Sequence, residues 1–159
     1  IYLLGNPVVW FTSTASIGLF VLLTLVNRMA ERRNVSSPFL GTLYKGASTG
    51  GFLFMSWLLH WVPFFAMQRQ LFLHHYLPAL YFAVLLLAVQ LNHFFYHFGG
   101  KLSSKLQLAV CATLTVSAIG AFIAYAPLSY GLKMTKEYCQ RIKLSPRWDF
   151  DCDSMVSRK

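Results

Sequence analysis

Acidic side chains are nearly missing from this sequence. Its 159 residues hold five Asp and Glu against fourteen Lys and Arg, for a net charge of +9. Between Glu31 and Glu137 there is no carboxylate at all. That gap excludes chemistry run by paired carboxylates within or beside the apolar stretches, and it leaves no convincing general base. Charged residues together reach only 12%, against roughly 25% in soluble domains. No P-loop, dinucleotide fingerprint or Ser/His/Asp arrangement is present. Cysteine is sparse as well, with three in the chain.

What fills the space is hydrocarbon, 56% of the residues. Four stretches lack Asp, Glu, Lys and Arg altogether: residues 1–27, 46–68, 70–100 and 106–132. A spanning helix needs about 20 mostly apolar residues, so each stretch is long enough to cross a bilayer once. A soluble fold of this size has too little polar surface to hide four such runs. The expected fold is an all-α membrane protein with four transmembrane helices, at about residues 7–26, 48–67, 77–95 and 106–125. The four-helix region covers 1–131, and 132–159 reads as a polar, solvated tail. Pro7 suits a first helical turn, Pro63 is expected to kink the second helix near its end, and Pro127 to stop the fourth. The first apolar run begins at Ile1 with no basic segment before it. That is unlike a signal peptide and reads as the later part of a longer chain.

The positive-inside rule groups the loops. Arg28, Arg32, Arg33, Lys45, Lys101 and Lys105 fall on one side and Arg69 alone in the junction on the other. The basic loops are expected in the cytosol and the tail in the lumen, although the tail carries seven Lys and Arg of its own. Cys139 and Cys152 are candidates for a disulfide in that tail, while Cys111 is expected to be a small packing residue. Gly46 and Gly50 make a GxxxG step, and Ser117, Gly120, Ala121 and Ala124 give the fourth helix a narrow face. Small residues let membrane helices approach closely. Trp10, Phe11, Trp57, Trp61, Phe64, Phe65, Phe72 and Tyr76 fall near the membrane edges, as an aromatic belt does.

Candidate chemistry concentrates in the junction of residues 67–78, MQRQLFLHHYLP. It sets Arg69, His74, His75 and Tyr76 at the start of a membrane helix, where unpaired N–H groups and the helix dipole favour anions. Arginine grips phosphate with two parallel hydrogen bonds. At headgroup depth this cluster suits the phosphate of a long-chain lipid carrier; the competing reading is snorkelling residues that touch ordinary phospholipid. His60, inside the second helix, is a candidate supporting residue, with capping of the backbone freed by Pro63 as the simpler role. His93 and His97 have zinc-like spacing but no third ligand. Asp149, Asp151 and Asp153 lack the glycine a calcium loop requires. No metal site or cofactor is expected.

Several segments together resemble a known family: IYLLGNPVVW at 1–10, His60 with Pro63, Phe64 and Phe65, RQLFLHHYLPALYF at 69–82, PLSYG at 127–131, and Trp148 with Asp149. In order and spacing they resemble the C-terminal four-helix region of the eukaryotic protein O-mannosyltransferases, the dolichyl-phosphate-mannose–protein mannosyltransferases. The resemblance covers nearly the whole chain. It implies a partial GT-C fold in the endoplasmic reticulum membrane and a lumenal C-terminus. It also implies inverting transfer of mannose from dolichyl-phosphate-mannose to Ser or Thr of acceptor proteins. The family's acceptor-activating acid lies in an N-terminal lumenal loop outside this sequence, so no catalytic residue is expected here and the fragment alone is expected to be inactive. Arg69, His74, His75 and Tyr76 are then expected to hold the donor's lipid phosphate. The other expected partners are membrane lipids and a homologous mannosyltransferase subunit as dimer partner; nucleic acid is not expected. The chain departs from the family at Trp10-Phe11, near Met55–Trp57 and after Gly131. The alternative reading is a non-catalytic transmembrane scaffold for subunit assembly. A transporter fragment fits less well, because repeated broken helices are lacking.

The orientation makes one direct prediction. Asn34-Val35-Ser36 is a glycosylation sequon on the side assigned to the cytosol. The full-length protein from cells should therefore show no glycosidase-sensitive mass at Asn34, and a glycan there would reverse the threading.

Overall fold

A computed structural model of the chain describes residues 5–35, 47–66, 73–98, 104–145, 148 and 151–152. These residues form helices and turns with no strand among them. Helix α1 spans Pro7–Arg32, α2 Ala47–Trp61, α3 Pro63–Ala66, α4 Leu77–Phe98, α5 Ser104–Tyr130 and α6 Lys136–Ile142; a 3-10 turn, Leu73–Tyr76, leads into α4. Among the described residues, four segments are long and apolar enough to cross a membrane: Pro7–Arg32, Ser48–Ala66, Leu77–Tyr96 and Ser104–Tyr130. Much of their apolar surface is bare, with Leu108 71% and Val116 68% exposed. Surface of this kind suits contact with lipid and not with water.

Local chemistry sets the ends of α1. The side chain of Asn6 accepts from the amides of Val8 (3.1 Å) and Val9 (3.3 Å), an N-cap that occupies two of the helix's unpaired donors. At the other end the chain turns through Asn34, whose φ of 52° lies in the left-handed region that Asn tolerates better than most residues. Pro63 has no N–H to continue α2. The helix accordingly stops at Trp61, and Pro63 opens the four-residue α3.

Helix α4 is the centre of the bundle. It packs along α2 and α1, while α5 lies outside and packs on α1. Close approach comes from small residues: Ala79 and Ala83 are fully buried on α4, and Ser13 and Ser16 are 1% exposed on α1. Ile17, Leu53, Ala83 and Leu86 form the buried core, flanked by Phe20, Phe54, Trp57 and Phe82. Deep in this contact, Gln90 Nε2 donates to the carbonyl of Ser16 at 2.9 Å. Gly50 makes room for Phe20, since a β-carbon there would come within 2.7 Å of the ring. Gly46, the other half of the GxxxG step, lies outside the described residues.

Several expectations are corrected. Helix α5 does not stop at Pro127 but contains it and runs to Tyr130. Pro127 forfeits one backbone bond; Gly131, at φ 66°, then lets Leu132 N reach Pro127 O at 2.9 Å and closes the helix as a Schellman turn. Among the described residues, the narrow face of α5 is only partly a contact. Ser117 is exposed, Gly120 has open space around it, and only Ala121 and Ala124 are half-buried. Cys111 is likewise exposed and unpaired, not packed.

The segment after Gly131 is not simply solvated either. Thr135 caps α6, and Cys139 is joined to Cys152 across a Cα–Cα distance of 5.7 Å. Cys139, Ile142 and Cys152 bury themselves against Tyr125 and Leu128 of α5, with Trp148 edge-on to Tyr125. Tyr125 Oη donates to the Ile142 carbonyl at 2.8 Å, and Tyr138 Oη to that of Ala124 at 2.9 Å. The result is a small cap on the end of α5, from which Asp151 alone of the three alternating acids is described; Asp149 and Asp153 lie outside the described residues.

A cross-link over a loop of this length stabilises by about 3 kcal/mol, chiefly by restricting the open state. Trypsin should cut the full-length protein between Cys139 and Cys152, at Arg141 or Arg147. The two pieces should migrate together on a gel until reduced. In Cys139→Ser they should separate without reductant and the cap should be cut faster.

Candidate functional site

The four residues singled out in the junction fare differently. Tyr76 ends the 3-10 turn, half-buried, at the end of the bundle where α1 begins and α2 finishes. His75 beside it is also half-buried. Arg69 and the side chain of His74 lie outside the described residues.

An aromatic clamp holds Tyr76. Trp57 Nε1 donates to Tyr76 Oη at 3.2 Å. The Trp10 ring lies 4.8 Å from the Tyr76 ring, tilted by 32°, and Phe64 stands 6.4 Å away on α3. Trp57 stacks on Trp61 at 5.1 Å, and Trp61 meets Phe65 edge-on at 4.7 Å. Each anchor is itself seated: a β-carbon at Gly5 would collide with the Trp10 indole, which is why the residue beneath that ring has no side chain. Asn6 uses its oxygen to cap α1 and its Nδ2 to donate to the carbonyl of Ala118 at 2.8 Å. One side chain thus fastens the start of α1, and with it Trp10, to α5.

The hydrogen bond from Trp57 has a chemical consequence. Indole N–H is a donor only, whereas a phenol both accepts and donates. With Tyr76 Oη accepting from Trp57, its own proton is directed elsewhere, and no acceptor for it is found among the described residues. A phenol held in this way is a neutral donor suited to a phosphate oxygen, and it needs no ionisation to act. Next to an arginine it would add direction to charge.

His60 does not cap the backbone freed by Pro63. Its Nδ1 lies 2.7 Å from the carbonyl of Ser56, one turn earlier in the same helix, and its ring packs 5.2 Å from Phe82. Neither contact reaches Tyr76. The reason is geometric: a side chain on a helix leans toward the N-terminal turn, away from the carbonyls near Pro63. Among the described residues no three His, Cys, Asp or Glu converge on a point. His93 lies near the opposite end of α4, and the side chain of His97 is outside the described residues.

Sequence reasoning missed Trp57, Trp10 and Asn6 as the residues that hold Tyr76. Each carried a signal, as an edge aromatic or a helix start. Nothing in the sequence pairs residues 10, 57 and 76, because their meeting depends on how three helices pack.

Comparison with known proteins identifies relatives of the chain. Residues 1–148 match the family described as the C-terminal four TMM region of protein-O-mannosyltransferase. The dolichyl-phosphate-mannose–protein mannosyltransferase 1 of Candida albicans is 35% identical, over 96% of this chain and 18% of its own length. The protein O-mannosyl-transferase 2 of Danio rerio is 37% identical, over 84% and 18%. The human protein O-mannosyl-transferase 1 is 34% identical, over 94% and 20%. The chain thus spans about a fifth of the length of the curated relatives it matches. Among solved structures it superposes on the Saccharomyces cerevisiae protein O-mannosyltransferase Pmt1-Pmt2 complex bound to the sugar donor. The TM-score is 0.85 at 31% identity, covering 99% of this chain and 22% of that one. The chain belongs to the protein O-mannosyltransferase family and is similar throughout to that family's C-terminal, four-helix membrane region.

Proposed function

We propose that this chain forms the lipid-donor side of an enzyme that moves mannose from dolichyl-phosphate-mannose to Ser or Thr hydroxyls of proteins, with inversion at the sugar. The relatives' names carry the donor and the acceptor class, and the similar solved complex is bound to the sugar donor. From this chain, the observation that supports the reading is Tyr76, clamped by Trp57 and Trp10 with its hydroxyl oxygen accepting from Trp57. In this arrangement Arg69, His74, His75 and Tyr76 hold the donor phosphate at the lumenal face of the endoplasmic reticulum membrane. The acceptor oxygen attacks C1 of mannose and the C1–O bond to phosphate breaks. Negative charge then grows on the departing dolichyl phosphate, where a preorganised cation and hydrogen-bond donors stabilise it more than they stabilise the intact donor. The base that takes the acceptor's proton belongs to the upstream part of the longer enzyme. The assembly partner is a second mannosyltransferase subunit, as in the similar complex.

Arg69→Ala in the full-length enzyme should lower mannosyl transfer to an acceptor peptide in microsomes by about a hundredfold, the scale for losing one oxyanion donor, at unchanged expression. Tyr76→Phe should cost about threefold to tenfold, the scale of one neutral hydrogen bond. Full activity in both variants would remove the donor-site assignment.

One observation favours a second reading, a scaffold for subunit assembly: the Ser117 and Gly120 face of α5 is bare, with open space at Gly120. If that face docks another subunit, Gly120→Leu should abolish co-purification of the homologous subunit. In a pure scaffold, Arg69→Ala would be silent.

A further inference from the structure

The end of the bundle away from Tyr76 holds a groove of about 430 Å³ between α1, α2 and α4. Its walls are hydrocarbon, chiefly Phe20, Phe54, Leu86 and Val89. Part of the space exists because Gly51 has no side chain: a β-carbon there would meet nothing within 4 Å, unlike its neighbour Gly50, which Phe20 fills. Polar groups line the groove too, Asn27 and Arg28 from α1 and Gln90 and His93 from α4.

Depth gives these groups a meaning. At 1.5 Å per residue, Arg28 lies roughly 31 Å along α1 from Pro7, about the thickness of the hydrocarbon core. The guanidinium therefore stands at headgroup level, and the apolar walls lie in the hydrocarbon beneath it. Arg28 is not neutralised within its helix. Glu31, the one acid of α1, accepts from Asn27 Nδ2 at 3.0 Å, and no ion pair to Arg28 is found among the described residues. Arg32 and Arg33 follow on the same exposed end.

We infer that this groove is a binding site for an anionic glycerophospholipid, with one acyl chain between α1, α2 and α4 and the phosphate at Arg28 and His93. Charge complementarity selects an anionic headgroup, since basic residues at a membrane edge attract anionic lipid. The site is separate from the proposed donor site: seventeen residues of turn and α4, roughly 25 Å at helical rise, separate Tyr76 from His93.

The test uses the full-length protein in phosphatidylcholine vesicles containing a phosphatidylserine with a photoactivatable acyl chain. Adducts are mapped by mass spectrometry after irradiation. Adducts should appear on the peptides that contain Phe20, Gly51–Met55 and Leu86–Val89. Gly51→Leu, which fills open space without a clash, should lower them about fivefold, the scale expected from displacing buried chain methylenes. Arg28→Gln should lower them about fivefold with the phosphatidylserine probe, the worth of one basic residue near an anionic surface, and lower labelling by the matching phosphatidylcholine probe less, because that lipid shares the phosphate but carries no net charge. Labelling indifferent to Gly51→Leu, or equal for both probes with no dependence on Arg28, would overturn the assignment. Absence of adducts in the groove would also overturn it and point to an upstream protein segment as its occupant.

Discussion

Everything in this bundle depends on how closely α4 can lie against α1 and α2. In a bilayer, lipid tails are as apolar as leucine, so association cannot draw on the hydrophobic effect and relies on dense contact and buried hydrogen bonds. Ala79 and Ala83 on one side and Ser13 and Ser16 on the other remove bulk where the helices meet. The bond from Gln90 to the Ser16 carbonyl ties them at depth. A larger side chain at Ala83 would overpack this seam at a cost of about 1–3 kcal/mol, and it would also shift the end of α4 that carries Tyr76.

The two ends of the bundle have opposite character for the same reason. At one end α1 begins and α2 finishes, so Trp10, Trp57, Trp61 and Phe64 gather around the turn that leads into α4. Aromatic residues tolerate the interface because they pair an apolar body with a polar edge, and here that edge fixes the direction of the Tyr76 hydroxyl. At the other end Phe20 fills the space at Gly50, and the space beside Gly51 is left open near Arg28. Rigidity where a phosphate is proposed to be held, and a fillable gap where lipid is proposed to bind, both follow from one packing arrangement.

Legibility in the sequence was uneven. The absence of carboxylates from Glu31 to Glu137 and the four charge-free stretches were enough for four membrane helices, because the energetic demand of the bilayer acts on each stretch alone. Pro63 was legible for the same reason: a missing N–H is a local fact. Pro127 misled, since whether a helix resumes after proline depends on what receives its end, and here Gly131 and the cap formed by Cys139, Ile142 and Cys152 receive it. The face of Ser117 and Gly120 is left bare among the described residues. Small residues mark places where approach is allowed, and the spacing of Ala79 and Ala83 carried the same signal at the seam that α4 uses.

By itself, then, the sequence determined that the chain crosses a membrane four times, which family it resembles, and that Arg69, His74, His75 and Tyr76 lie close to one another along the chain. Those properties reside in composition and in neighbours along the chain. Tertiary structure alone decided that Trp57 and Trp10 hold Tyr76, that Asn6 fastens α1 to α5, that His60 bonds within its own helix, and that Gly51 opens a groove near Arg28. Each of these joins residues distant in sequence, or chooses among partners equally near in it. That choice is made by the angle and separation at which whole helices settle, which no local pattern encodes.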